Sequence, residues 1–282
     1  MSRIDPIDTH AGAPVVAPLT FITPQAEKPV FHSQALTGGE AKFFFEVEEH
    51  QVPVADLRPQ AERFTLDGAG FAFRHAPTAV RDLYDDDTVE SAYFAEIEAL
   101  LKAEYGASRV AVFDATRRSD GGDGARNRDG NRGAASRIHV DYTARSGPQR
   151  ARDAIGSDEV DRLLAAGARI VQVNVWRPIV GPVRRSPLAL ADARSVAPED
   201  LVATDQVFPD RVGEIYHLAY NPEQRWYFAP EMTPDEVLLI KGWDSLEDGR
   251  AQFTPHTAFP LPDQDRAPAR ESIEIRTIVV IE

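Results

Sequence analysis

The rhythm of hydrophobic and polar positions changes along the chain, and each change predicts an element. Residues 1–40 are rich in Pro, Ala and Thr without a clear period. They read as an N-terminal arm, lying over the body or partly disordered. Phe43, Phe44, Phe45 and Val47 then predict a strand. Phe64, Leu66, Phe71 and Phe73 surround Asp67-Gly68-Ala69-Gly70, which predicts a hairpin over 63–74. Across 91–105 the apolar positions Phe94, Ile97, Leu100, Leu101 and Tyr105 fall on one helical stripe, and Gly106 supplies a stop. A short strand follows at 109–113. Residues 117–136 are crowded with Gly, Asp, Asn and Arg. That mixture predicts no packed element, so the stretch reads as a mobile loop: a lid over a site, or a disordered insertion. A second helical region spans 149–166. Short strands at 169–176, 214–220, 237–241 and 272–281 complete the chain.

Helices early and strands late predict a mainly β protein with flanking helices, a sandwich or a barrel. With no linker visible, 41–282 reads as a single domain. The 282 residues include 31 Lys and Arg against 45 Asp and Glu, for a formal charge of −14. Such a balance argues against nucleic acid or an anionic membrane as partner. With no cysteine, disulfide, thiolate and iron–sulfur chemistry are excluded, and any metal must be held by His and carboxylate. The opening residues lack a signal-peptide pattern and no apolar run is long enough to span a bilayer, so the expected location is cytoplasmic. GxGxxG, GxxxxGK[ST] and GxSxG motifs are all missing.

Two places carry candidate chemistry. In Arg137-Ile138-His139-Val140-Asp141-Tyr142-Thr143, an extended backbone puts His139 and Asp141 on one face. They could take two adjacent positions on one metal, with His256 as a distant third ligand. A two-His, one-carboxylate set leaves positions open for a cosubstrate and oxygen, as non-haem iron oxygenases require. A His–Asp hydrogen bond is the plainer alternative. In the last strand, Arg270, Ser272, Glu274 and Arg276 share one face. That face is either solvated or directed inward, where an arginine would grip a carboxylate.

Taken in order, these segments resemble one family. The series is His139-Val140-Asp141-Tyr142-Thr143, Asn174-Val175-Trp176-Arg177-Pro178, Trp226-Tyr227, Leu239-Ile240-Lys241-Gly242-Trp243-Asp244-Ser245, His256-Thr257-Ala258-Phe259 and the 270–276 segment. It resembles the CmcJ-like, AsaB-like or gibberellin-desaturase-like oxygenases of bacterial and fungal secondary metabolism, over roughly residues 40–282. The resemblance implies a double-stranded β-helix (jelly roll, cupin-like). It implies an Fe(II)/2-oxoglutarate-dependent dioxygenase that uses O2 to oxidise a C–H bond of a small specialised metabolite, by hydroxylation, desaturation or cyclisation. It further implies His139, Asp141 and His256 as iron ligands, and an arginine beyond His256 that binds 2-oxoglutarate.

Arg270-Glu271-Ser272 matches the Arg-x-Ser pattern of the wider superfamily, while Arg276 lies deepest in the strand. Arg266 sits in a Pro-rich loop and ranks below both. The cosubstrate set is therefore Arg270, Ser272 and Arg276. Tyr142, Thr143 and Arg177 are candidate substrate contacts, with packing or a strand-end ion pair as the alternative for each. Lys241, Asp244 and Ser245 read as a structural network. His10, His32, His50, His75 and His217 read as structural or surface groups. The expected substrate is a small molecule, carboxylate- or amino-acid-derived. Two rivals are a jelly-roll metal enzyme that needs no 2-oxoglutarate and a non-catalytic partner protein of a biosynthetic pathway.

Overall fold

The computed structural model describes residues 13–38 and 41–282. In chain order its strands are β1 (Val15–Ile22), β2 (Val30–His32), β3 (Lys42–Phe44), β4 (Val47–Asp56), β5 (Phe71–His75), β6 (Arg109–Ser119), β7 (Ala125–Asn127) and β8 (Gly130–Arg132). There follow β9 (His139–Val140), β10 (Arg169–Pro178), β11 (Leu188–Ala191), β12 (Leu201–Val207), β13 (Val212–Leu218), β14 (Trp226–Phe228), β15 (Glu236–Asp244), β16 (His256–Ala258) and β17 (Glu271–Ile281). Ten of them form one curled sheet in the order β1-β4-β14-β11-β16-β9-β13-β12-β2-β3. A second sheet runs β5-β15-β10-β17-β6. The two face each other as a jelly roll, as the sequence resemblance implies.

Strand β10 shows how the sequence builds these layers. Every residue from Ile170 to Pro178 is buried, because this strand is covered on both faces. Val171, Val173 and Val175 pack outward against Tyr93, Ile97 and Leu101 of the helical layer. Trp176 points the other way, into a core shared with Leu188 and Leu190 of β11 and Leu238 and Ile240 of β15. A third core, around Leu19, Phe21, Val54, Ile138 and Trp226, fills the curl of the large sheet. The expected helix at 91–105 is the helix Phe94–Tyr105, preceded by a π-helical turn at Val89–Tyr93. It ends at Gly106, whose φ of 64° is left-handed. Since a Cβ there would meet nothing within 4 Å, Gly106→Ala should cost only its backbone strain, about 1 kcal/mol, read as a small loss in urea unfolding.

Three expectations are corrected. Residues 13–38 are not a loose arm: β1 pairs along its whole length with β4, and β2 pairs with β12 and β3. The alternating burial of Ala17, Leu19 and Phe21 supplies the apolar face that holds β1 in place. Residues 1–12 of that expectation lie outside the described residues. The 63–74 hairpin is instead a turn leading into the single strand β5. Asp67 at its tip accepts from Lys241, Arg169 and Arg250, and those bonds replace a second strand. Finally, 117–136 is not a featureless loop. Residues 117–119 complete β6, and β7 pairs with β8 as a hairpin. Arg128 anchors that hairpin to Asp86 and Glu90, and the Asn127 amide reads the Arg117 backbone. Charged residues here make ion pairs across elements, a mode of packing that local composition does not reveal.

Candidate metal centre

The site begins with the pleat of β9. Ile138 and Val140 are almost fully buried, and Ile138 enters the core inside the curled sheet. Alternation then turns His139 and Asp141 toward the space between the two sheets. His256 of β16 is the register partner of His139, so its imidazole emerges on the same face. The two ring centroids are 4.5 Å apart. One ligand atom each from His139, Asp141 and His256 lies within 4.8 Å of the others. The sequence thus chose these three from seven histidines and many carboxylates, and the fold brings them together.

Hydrogen bonds orient each group. His139 Nδ1 lies 2.9 Å from the Arg137 carbonyl, and His256 Nδ1 lies 3.0 Å from the Thr254 carbonyl. A carbonyl only accepts, so each Nδ1 carries the proton and each Nε2 keeps its lone pair. His139 Nε2 is 3.7 Å from Asp141 Oδ1. Burial, with the neighbouring His256, pushes the His139 imidazole down to about 3, so at neutral pH it is an uncharged donor. Asp141 Oδ2 accepts from Asn174 Nδ2 at 2.6 Å and lies 3.4 Å from Arg276 Nε. Burial opposes the charged carboxylate, but Arg276 and the two histidines hold Asp141 well below the usual carboxylate range. One oxygen is thereby tied down and the other is left facing the imidazoles. Two neutral imidazole nitrogens and one carboxylate oxygen are a donor set that suits a divalent first-row metal.

Asn174 is a residue that sequence reasoning missed. Its Oδ1 accepts from Gln172 Nε2 at 2.5 Å, which fixes the amide with its NH2 aimed at Asp141. The signal was present in β10, where period-two alternation puts Gln172, Asn174 and Trp176 on one face. Asn174→Ala should weaken Fe(II) binding by about 10- to 100-fold, measured by anaerobic titration, while Val175→Ala on the opposite face should leave affinity within a few-fold.

The polar face of β17 is directed inward. Arg270, Ser272 and Glu274 are each 7% exposed or less. Opposite them on β6, Asp114, Thr116 and Arg118 pair with Arg276, Glu274 and Ser272. Arg276 has three carboxylate neighbours, Asp114 at 3.1 Å, Glu274 at 2.9 Å and Asp141 at 3.4 Å, although its Nε makes no hydrogen bond. Arg270 differs. Its Nε and one terminal nitrogen are buried with no acceptor, and its guanidinium lies 5.7 Å above the Trp176 ring. Burial and the charge of Arg118 push it down to about 10. Arg118 is likewise shifted down by burial and by Arg276. Asp120 and Glu274 offset the Arg270 charge only in part and neither pairs with the guanidinium, and a buried cation with free donors is a place made for an anion. The Ser272 hydroxyl is buried on the same face, 3.5 Å from the Arg118 carbonyl.

Of the three expected substrate contacts, Arg177 and Thr143 are engaged away from the metal ligands, while Tyr142 lies close enough to Asp141 and Arg276 to feel both charges. Arg177 follows Trp176 and so faces the opposite side of β10. It donates to Tyr93 Oη at 2.6 Å, to the Ala76 carbonyl at 2.7 Å and to the Pro234 carbonyl. The Thr143 hydroxyl donates to Glu214 at 2.6 Å and accepts from the Arg145 and Ser146 amides, which caps the helix Ser146–Ile155. Tyr142 packs with the cluster beneath that helix. Lys241 and Asp244 form a structural network with Arg169 and Asp67, and Ser245 accepts from the Ile170 amide.

Residues 19–280 match a family model described as an oxidoreductase/YMDC permease-like domain. Among the described residues no helix is long and apolar enough to cross a membrane. The hydroxylase/desaturase efuI of Hormonema carpetanum is 35% identical, over 81% of this chain and 82% of its own length. The Fe(II)/2-oxoglutarate-dependent dioxygenase nvfI of Aspergillus novofumigatus is 31% identical, over 93% and 95%. A solved structure of the iron and alpha-ketoglutarate-dependent endoperoxidase NvfI superposes with a TM-score of 0.82 at 28% identity, covering 96% of this chain and 99% of that one.

Proposed function

This chain belongs to the family of Fe(II)/2-oxoglutarate-dependent hydroxylases, desaturases and related dioxygenases, and on that premise we propose that His139, Asp141 and His256 hold its iron and that Arg270 holds its cosubstrate. The chain is accordingly an iron- and 2-oxoglutarate-dependent oxygenase of secondary metabolism, acting on a small molecule. The observation that carries the site assignment is the convergence of two Nε2 lone pairs, freed by carbonyl-bound Nδ1 atoms, with one oxygen of Asp141.

The residues divide the work. His139, Asp141 and His256 leave one side of the metal position open. When bound there, Fe(II) with 2-oxoglutarate and O2 supplies the oxidant that removes hydrogen from a substrate carbon. Arg270 pairs with the remote carboxylate of 2-oxoglutarate, with Ser272 beside it. Trp176 gives that carboxylate arm an apolar wall and excludes water. Arg276 and Asn174 keep Asp141 ionised and oriented. Hydroxylation, desaturation and cyclisation then differ in which substrate carbon is held nearest the metal. Cytoplasmic residence belongs to the same reading, because Fe(II) and 2-oxoglutarate are both available there.

The test is anaerobic. Fe(II) added with 2-oxoglutarate to wild-type protein should give a weak visible charge-transfer band that chelator abolishes and that Fe(II) alone does not produce. A folded, iron-loaded protein with no band on addition of 2-oxoglutarate would favour the jelly-roll metal enzyme that needs no cosubstrate. Failure to bind iron would favour the non-catalytic partner.

A further inference from the structure

One further polar group on the inner face lacks a role. Arg137 precedes His139 by two residues, and Ile138 between them is buried in the opposite core. Its side chain therefore leaves the strand on the same side as the metal ligands. The guanidinium lies 3.7 Å above the Phe43 ring. Among the described residues it has no carboxylate partner, and its Nε is buried without an acceptor. Phe43 in turn stacks on Phe31 at 5.2 Å and meets Phe45 edge-on at 5.5 Å. His217 closes the group. It is the register partner of His139 on the side away from His256, and it packs against both Phe31 and Phe45. The Thr204 hydroxyl, 2.9 Å from Nδ1, fixes that ring. The strand that carries the first metal ligand is thus bordered by an aromatic wall topped with a cation.

We propose that Arg137 and the Phe31–Phe43–Phe45 wall determine substrate choice, by taking a carboxylate attached to an apolar, unsaturated body. The inference rests on the oxygenase reading, since it places this body beside His139. Stacking on Phe43 holds the guanidinium flat and leaves its edge free for bidentate pairing. Arg137 thus resembles Arg270, at the other end of the site, in having a buried Nε with no acceptor. Two unpaired cations then serve two carboxylates: Arg270 that of the cosubstrate, Arg137 that of the substrate. The rings supply apolar contact area for the rest of the molecule.

The probes are 4-phenylbutyrate and its neutral amide, titrated calorimetrically into anaerobic protein loaded with Fe(II) and saturating 2-oxoglutarate. Saturation keeps the acid from Arg270. The acid should bind wild type about tenfold or more tightly than the amide. Arg137→Gln should erase that preference without changing the 2-oxoglutarate charge-transfer band, and Arg137→Lys should restore part of it. Phe43→Leu should weaken acid and amide alike and keep the preference. Equal binding of acid and amide to wild type, binding of neither, or a preference that survives Arg137→Gln overturns the assignment. The band is read on the same samples. A band without discrimination removes only the role of Arg137, whereas discrimination without a band removes the 2-oxoglutarate reading.

Discussion

Replacing Asp141 by Ala should lower Fe(II) affinity by about three orders of magnitude or more, beyond the 10- to 100-fold that loss of an outer partner costs. The reason is chemical. Asp141 is the one anionic donor of the set, and without it two neutral imidazoles face a divalent cation. The fold should survive, because Arg276 retains Asp114 and Glu274 and Asn174 retains Gln172. Anaerobic Fe(II) titration measures the loss, with near-UV circular dichroism reporting the packing of the aromatic cores. Affinity within tenfold of wild type, in a protein with unchanged dichroism, would remove Asp141 from the ligand set.

The second large effect is at Arg270. Arg270→Gln should weaken 2-oxoglutarate binding by about 100-fold or more, the scale seen when one partner of a buried charge pair is truncated. Fe(II) binding alone should not change, because Arg270 makes no contact with the three ligands. The same variant should be more stable than wild type when 2-oxoglutarate is absent. Arg270 is 3% exposed with two nitrogens lacking acceptors, so the wild-type protein carries an incompletely compensated buried charge that Gln removes. Thermal unfolding with and without 2-oxoglutarate should therefore reverse in rank between the two proteins. Arg276→Gln should behave differently, losing iron affinity with the cosubstrate, since Arg276 lies against Asp141. Unchanged cosubstrate affinity in Arg270→Gln would move the anion site to Arg118 or Arg276.

The candidate metal-binding cluster was legible in the sequence because the chemistry and the pleat agree. His-x-Asp in an extended segment can only present both groups to one face, and the family motifs then select His256. That Arg270, Ser272, Glu274 and Arg276 share one face of β17 was legible from the same alternation, but the inward direction of that face was not. What escaped was everything set by pairing between distant strands. Asn174 and Arg118 reach the site only because β10 and β6 flank β17, and register is not written in local periodicity. Arg177 misled because it stands next to Trp176. One residue along a strand reverses the direction of a side chain, so the family motif places Arg177 in the helical layer. Thr143 misled because a hydroxyl after a ligand strand can cap a helix as well as line a pocket. The arm and the loop were misread through composition: Pro and Ala do not prevent β1 from pairing, and charge does not prevent the β7–β8 hairpin from being tied down.

Strand β17 lies between β10 and β6, inside the smaller sheet, yet it follows both of them in chain order. Until it is inserted, β10 and β6 have unpaired edges and the inward-facing Arg270 and Arg276 are missing from the interior. A folding chain that already displays His139, Asp141 and His256 thus lacks the sheet that orients Asp141 and seals the site. Iron acquired at that stage would sit exposed to oxygen and thiols. Insertion of β17 thereby closes the sheet and completes the site together, and loss of residues 271–281 should yield a chain that is aggregation-prone rather than merely inactive.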